Sequence, residues 1–428
     1  MSEFTLKFKV PSGLTNADAG STFYWPLEGR GSFATSLTPR LNTLGPVGTL
    51  NADFARIAVM VYAADRSVLR AVGSVNWTSR ALALTIPVSD PDAWNSIRDR
   101  LTEALRFLSG DNWDLTFTKA RLPKETTAKN KHPDAKRVVL LSGGADSAAG
   151  AFRARLDDAE HILFSHYGGN GIGKKQRGVV TEIRALVPDG AEHHHIQIGF
   201  RRRRTQPNDM RMKDEYSTRT RSLLFLALGL AVASINEVPL WIPENGFASL
   251  NPAMGADQLG SVSTKTTHPW FLTELDQMLT SINAQGAIEN PFMHQTKGEM
   301  FAWVANQVGK QKAAGFLSVT DSCGFTNKRF WHIPKDHHCG TCFGCLMRRA
   351  SFTAAKLTDH STYAVDNPPN PRAAEVLNSA SLLPSIRGFV ARGIRVADVA
   401  AMRLPAGYTP GMARDLCERG TAELSVLT

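Results

Sequence analysis

The sequence has few cysteines, and none before position 323: Cys323, Cys339, Cys342, Cys345 and Cys417 complete the set in 428 residues. That excludes a disulfide framework spanning the chain, and no attached glutaminase that starts on a nucleophilic cysteine is expected. No run of about 18 or more apolar residues occurs, so no membrane-crossing helix is expected. The opening "MSEFTLKFKV" alternates apolar and polar residues and lacks the continuous apolar segment of a secretory signal, so the expected location is the cytoplasm. Internal repeats and low-complexity tracts are also missing. What is present is length enough for two or three domains, and a net charge of +10. Such a charge favours anionic partners such as nucleotides, nucleic acid or an acidic protein surface, unless it is simply spread over a basic enzyme.

Residues 1–120 read as an α+β module that could dock a partner. Phe4, Leu6, Phe8 and Val10 alternate, as do Ile57, Val59 and Val61, then Leu82, Leu84 and Ile86, which predicts strands. "SDPDAWNSIRDRLTEALRFLSG" predicts a helix capped by Asp90, entered through Pro91 and ended by Gly110; "WDLTFTKA" predicts another strand. Residues 121–136 belong to a lysine- and proline-bearing linker. Residues 137–360 then alternate strands with helices: "RVVLL", "HILFSHY", "HHHIQIGF", "PLWIPENG" and "GFLSVTDS" as strands, "STRTRSLLFLALGLAVASINE" as a helix. This predicts an α/β fold with a parallel sheet covered on both faces. Residues 361–428 follow the break "DNPPNP" as a small helical extension.

Chemistry concentrates in "LLSGGADSAA", directly after an apolar strand. Gly143 and Gly144 let a backbone approach a ligand, and successive N–H groups at a helix start make an anion pocket. Ser142 and Ser147 add hydroxyls. Asp146 suits such a site if it orders the loop or shares Mg2+ with phosphate. The stretch is neither G-x-x-x-x-G-K-[ST] nor G-x-G-x-x-G. Late in the chain, Cys339, Cys342 and Cys345 follow C-x2-C-x2-C, with Cys323 upstream. Four thiolates suit a closed, structural Zn2+ site; an iron–sulfur cluster is the alternative. His337 and His338 flank it, and Cys417 reads as a lone structural residue. "RRRR" at 201–204 reads as a solvated loop, a dock for an acidic partner, or a nucleic-acid contact. His193, His194 and His195 read as sheet packing, with no carboxylate cluster beside them.

"SGGADS" resembles the pyrophosphate loop of the N-type ATP pyrophosphatases, which include GMP synthetase, asparagine synthetase, tRNA lysidine and thiolation enzymes, and QueC. Joined to "CGTCFGCLMRR", "TRSLLFLALGLAVA", "PFMHQTKGEMF" and "VTDSCGF", it resembles the QueC-like branch over roughly residues 136–358. The longer Cys323–Cys339 spacing, the insertion in "HYGGNGIGKKQRG", the segment 244–272 and the extra terminal modules depart from plain QueC. They resemble the QueC-like proteins of bacterial antiphage defence operons, such as the QatC component of the four-gene Qat system.

The resemblance implies a Rossmann-like sheet of the adenine nucleotide alpha hydrolase type and an ATP-dependent, C–N bond-forming ligase. The implied reaction adenylates a deazapurine substrate, 7-carboxy-7-deazaguanine, and releases pyrophosphate and AMP. The acceptor would be a protein encoded in the same operon, or ammonia on the way to a nitrile; a tRNA-modifying adenylase is the other reading. The implied ATP site comprises Leu141, Ser142, Gly143, Gly144, Ala145, Asp146, Ser147, Ala148 and Ala149, with His166 and Tyr167 at the second strand's end. Arg219, Arg221 and Lys297 are candidates to face the pyrophosphate. Asp146, Ser147 and Lys297 are the implied catalytic residues. Glu244 and Asn245 are candidates for recognising the base.

Overall fold

The computed structural model describes residues 1–427 apart from 38–40, 71–73, 77–78, 121–126, 158, 169–170, 255–264, 326–327 and 329–330, and only the backbone of 74–76. Its strands are β1 (Ser2–Lys7), β2 (Thr22–Tyr24), β3 (Phe33–Thr35), β4 (Ser74–Asn76), β5 (Ser79–Val88), β6 (Asn112–Lys119), β7 (Val138–Leu140), β8 (His161–Tyr167), β9 (His193–Arg202), β10 (Leu240–Trp241) and β11 (Ile288–Glu289). One sheet runs β2-β1-β5-β4, with β6 also on β5; the other runs β11-β10-β7-β8-β9-β3. In the second sheet β7 to β11 are mutually parallel, and β3 joins β9 antiparallel.

Read from β9, the parallel strands stand third, second, first, fourth and fifth in chain order. That is the Rossmann order, and its switch point lies between β7 and β10, where ligands bind beyond the carboxyl ends. Neighbouring side chains alternate between two cores because the strand period is two. Val138, Ile162, Phe164 and Leu240 join the core beneath the apolar helix Arg221–Ala233. Val139, Leu141, Leu163 and Trp241 join the other, with the helices Ala145–Leu156, Ile172–Leu186, Lys297–Val308 and Lys310–Ser318. The α/β class with helices on both faces is therefore what the chain adopts.

The helix expected over 90–110 forms as Pro91–Ser96 and Arg98–Ser109, capped by Asp90 and closed by Gly110 at φ 74°. Two strand expectations fail. Ile57, Val59 and Val61 lie in the helix Thr49–Ser67, in which all residues from Asn51 to Ala64 are buried. This helix is sandwiched between β5 and Arg221–Ala233, so no polar face marks its period. "GFLSVTDS" ends the helix Lys310–Ser318 and then leaves it as a loop. Of "PLWIPENG", only Leu240 and Trp241 pair as strand.

The first 120 residues share a core with the second sheet: Phe54, Ile57 and Val61 belong to the same cluster as Leu223 and Leu226. Asp65 sits at this junction and accepts from the backbone N–H groups of Arg219 and Thr220 at 2.8 and 2.9 Å. The C-terminal helices Pro371–Ser379, Leu383–Arg392, Val396–Ala400 and Pro410–Leu424 follow. The last three pack on Phe247, Leu346 and Met347, and Cys417 is buried among them. "RRRR" is in part the expected solvated loop: Arg201, Arg203 and Arg204 are exposed, and Arg203 and Arg204 lie beyond the strand. Arg201 and Arg202 close β9, and buried Arg202 donates to the Lys213 carbonyl and to Asp214 at 2.7 and 2.9 Å. No helix among the described residues is long and apolar enough to cross a membrane.

Candidate active site and cysteine cluster

Beyond β7 the chain turns sharply at Gly143, whose φ of +92° favours glycine. The turn is tied internally. Ser147 Oγ accepts from the Ser142 N–H at 3.1 Å and donates to the Gly144 carbonyl at 3.0 Å; Ser142 Oγ accepts from the Gly144 N–H at 3.2 Å. The Asp321 N–H holds the Gly143 carbonyl at 2.9 Å. The helix Ala145–Leu156 then starts toward a cavity of about 480 Å³, a size suited to a small-molecule ligand. Gly150 lets that helix meet the loop after β10, since a Cβ there would lie 2.1 Å from Pro243 Cγ.

Asp146, Glu244, Asn245 and Lys297 converge on the cavity wall. Lys297 Nζ lies 2.7 Å from Asp146 Oδ1, and Asn245 Nδ2 bridges Asp146 Oδ2 and Glu244 Oε1 at 3.2 Å each. Burial alone would raise the Asp146 pKa. The Lys297 ammonium and hydrogen bonds from Glu244, Lys297 and Asn245 override it and lower the value. Glu244 moves the other way: burial first, then the Asp146 charge, raises it well above the ordinary range. The two carboxyls are thus pushed apart, Asp146 toward its anion and Glu244 toward its neutral form.

Lys297 opens its helix through a capping box at Thr296 and Glu299. Glu423, from the C-terminal helix Pro410–Leu424, accepts from the Thr296 hydroxyl and from the Gly298 N–H. The extension therefore buttresses the turn that presents Lys297. The cavity lining also includes Asp321, paired with Lys175 and, at 3.1 Å, with Lys328. Burial would raise the Asp321 pKa, but the hydrogen bond and charge of Lys175, with the charge of Lys328, depress it strongly. Ser222 and Ser322 also line the cavity, and their hydroxyls have no partner among the described residues.

The cavity lining contains Ser142, Gly144, Ala145, Asp146, Ser147, Glu244, Asn245 and Lys297. Ala148 and Ala149 are buried in the helical core behind it, with Leu141. Arg219 is turned away: Nη1 donates to the Ser109 carbonyl at 2.7 Å, in the first 120 residues. Arg221 lies over the Phe225 ring at 5.1 Å, and it is Phe225 that lines the cavity. His166 Nε2 is 2.8 Å from the Phe200 carbonyl, and burial lowers its pKa to about 4. Tyr167 packs along Gly173 and Gly199. Asp321, Ser322, Ser222 and Lys175 were not expected from the sequence, although they stand inside the quoted "VTDSCGF", "TRSLLFLALGLAVA" and "HYGGNGIGKKQRG".

Cys323, Cys339, Cys342 and Cys345 bring their sulfurs within 4.8 Å of one another, and no disulfide joins them. Backbone N–H groups point at the sulfurs: Gly324 to Cys342 at 3.2 Å, Cys342 to Cys339 at 3.3 Å, Cys339 to Cys323 at 3.4 Å. Zn–S bonds of about 2.3 Å place tetrahedral sulfurs about 3.8 Å apart, so this donor set fits a closed zinc site. His338 lies near Asp321 at 3.6 Å and is not part of the cluster. Cys323, Phe343 and Gly344 also line the cavity, which couples the cluster to its wall.

Two curated proteins are similar to about half of the chain. The 7-cyano-7-deazaguanine synthase of Methanococcus aeolicus is 23% identical over 243 residues, which is 53% of this chain and 99% of that protein. The 7-cyano-7-deazaguanine synthase 1 of Sphingopyxis alaskensis is 28% identical over 249 residues, which is 53% of this chain and 97% of that protein. No family model and no solved structure matches. Both likenesses span nearly the whole synthase, and they support placing the matched half of this chain among QueC-like proteins.

Proposed function

We propose that the chain uses ATP to activate 7-carboxy-7-deazaguanine as an acyl-adenylate and then forms an amide. The carboxylate oxygen attacks the α-phosphorus, and the bond to the bridging oxygen breaks to release pyrophosphate. An amine nitrogen then attacks the acyl carbon, loses a proton and expels AMP. The carrying observation is the Ser142–Gly144 turn beside the buried Asp146–Lys297 pair, at the switch point of the sheet. The turn and helix start would cradle the pyrophosphate. Lys297 would meet the charge that develops there, and Asp146 would keep that ammonium in place or share Mg2+ with the phosphates. The unpartnered hydroxyls of Ser222 and Ser322 offer polar contacts to a ligand. Glu244 and Asn245, on the same cavity wall, are the candidates to contact the purine-like base.

For the acceptor we propose an amine of a partner protein, in the antiphage setting that the extra segments resemble. The half of the chain outside the two likenesses supplies room for that partner. The names of the two similar synthases favour a second reading, in which ammonia is the acceptor and a second activation gives a nitrile. Purified chain with ATP, Mg2+ and an acceptor amine is expected to release AMP and pyrophosphate only when the carboxylate is present. Intact-mass measurement then separates the acceptors: a mass increment on a co-encoded protein supports conjugation, and a nitrile product with ammonia supports the synthase reading. ATP cleavage indifferent to the carboxylate would refute both.

A further inference from the structure

A second group of metal-ligating side chains lies at the other end of the sheet. His132, Glu160 and His194 bring one ligand atom each to within 4.8 Å of one another. The imidazoles of His132 and His194 stack with centroids 3.7 Å apart and planes 21° apart. His194 Nε2 is 3.2 Å from Glu160 Oε1 and 3.6 Å from Glu192 Oε1. Glu160 directly precedes β8 and His194 is the second residue of β9, so both stand at the amino ends of strands whose carboxyl ends face the cavity side.

The backbone fixes these positions before any metal arrives. The His132 N–H donates to Asn130 Oδ1 at 3.0 Å, and its carbonyl accepts from Asn236 Nδ2 at 2.7 Å. The Glu160 carbonyl accepts from the Lys136 N–H at 2.8 Å, and the Glu192 carbonyl from the His161 N–H at 3.1 Å. Two imidazoles and one carboxylate are a common donor set for Zn2+, with a fourth position for water or a second carboxylate. Tetrahedral ligands at zinc distances lie about 3.3 Å apart, so small side-chain rotations close the site. Exposed Glu192 can supply the fourth ligand.

We infer that His132, Glu160 and His194 form a second divalent-metal site, with zinc as its best-suited ion, which clips the segment before β7 onto the amino edges of β8 and β9. The site is separate from the cysteine cluster and takes no part in the proposed chemistry. The test uses the full chain, loaded with Zn2+ and dialysed, with metal content measured per chain. The wild type is expected to hold one zinc more than His132→Ala and His194→Ala. Its melting temperature is expected to rise with the added zinc by several degrees more than theirs. His194→Gln keeps a hydrogen-bond donor toward Glu160 but ligates poorly, and it should show the same loss if the site is real. Co2+ gives a thiolate-free spectral component that should vanish in all three variants. Equal metal content in wild type and His194→Gln would overturn the proposal, as would an unchanged Co2+ spectrum.

Discussion

Replacing Lys297 by methionine isolates the central electrostatic contact. The side chains of Lys297 and Asp146 are 7% and 9% exposed and meet at 2.7 Å. Methionine fills a similar volume but leaves the Asp146 carboxylate buried without its cation. Removing one member of a buried pair costs about 3–5 kcal/mol, because the remaining charge is stranded. The carboxylate would then take up a proton. Neutralising both members, in Asp146→Asn with Lys297→Met, removes the stranded charge and should recover most of that loss. The cycle should show a coupling of about 2–3 kcal/mol. Urea unfolding followed by tryptophan fluorescence measures all four corners. AMP formation should be abolished in the single and the double variant, which separates the stability effect from the catalytic one. The reasoning fails if Lys297→Met destabilises by under about 1 kcal/mol, or if the two substitutions are additive.

Further expectations concern the rest of the site. Glu244 has a raised pKa, so between the ordinary carboxylate value and its folded value the native state holds a proton that the unfolded chain has released. Its contribution to stability therefore falls as pH rises through that window. Glu244→Gln mimics the neutral form and should flatten the decline in stability as pH rises above the ordinary carboxylate range; an unchanged slope would show Glu244 to be ionised. At Gly150, alanine would force a methyl to within 2.1 Å of Pro243; a loss of about 1–3 kcal/mol is expected, and a neutral effect would mean the two segments part easily. Cys345→Ser should remove zinc from the cysteine cluster, lower the melting temperature and weaken AMP formation, because the neighbouring Cys323 and Gly344 line the cavity. Glu423→Ala removes the acceptor of the Thr296 hydroxyl and the Gly298 N–H; it should lower kcat more than it raises KM, since it disturbs the presentation of Lys297.

The strand "HILFSHY" is found at the same residues that its composition predicts, and "RVVLL" and "HHHIQIGF" within a few residues. Their apolar runs are legible because each strand faces two cores. The helix Thr49–Ser67 defeats the same logic: layers cover it on all sides, so its polar residues are buried too. Asp53 and Asp65 serve internal hydrogen bonds there, not solvent. Among site residues, the local pattern of glycines, serines and Asp146 exposed the loop. Lys297 was legible from a resemblance between segments. Asp321 with Lys175 was not, because their contact joins residues far apart in the chain. Arg219 failed for the opposite reason: a basic residue at a helix start is also what a buried junction with Asp65 and Ser109 uses. The three adjacent histidines divide by alternation. His193 is buried in the sheet near His161, His195 meets Ser165 at 2.8 Å, and His194 turns to Glu160, a carboxylate neighbour that the sequence did not reveal.

Exchange of labelled pyrophosphate into ATP, measured with 7-carboxy-7-deazaguanine and without any amine, tests the central claim most directly. An acyl-adenylate reverses with pyrophosphate, so exchange should require the carboxylate and disappear in Asp146→Ala and Lys297→Met. Exchange that proceeds without the carboxylate, or survives in those variants, would contradict the assignment of this turn and its buried ion pair to carboxylate activation.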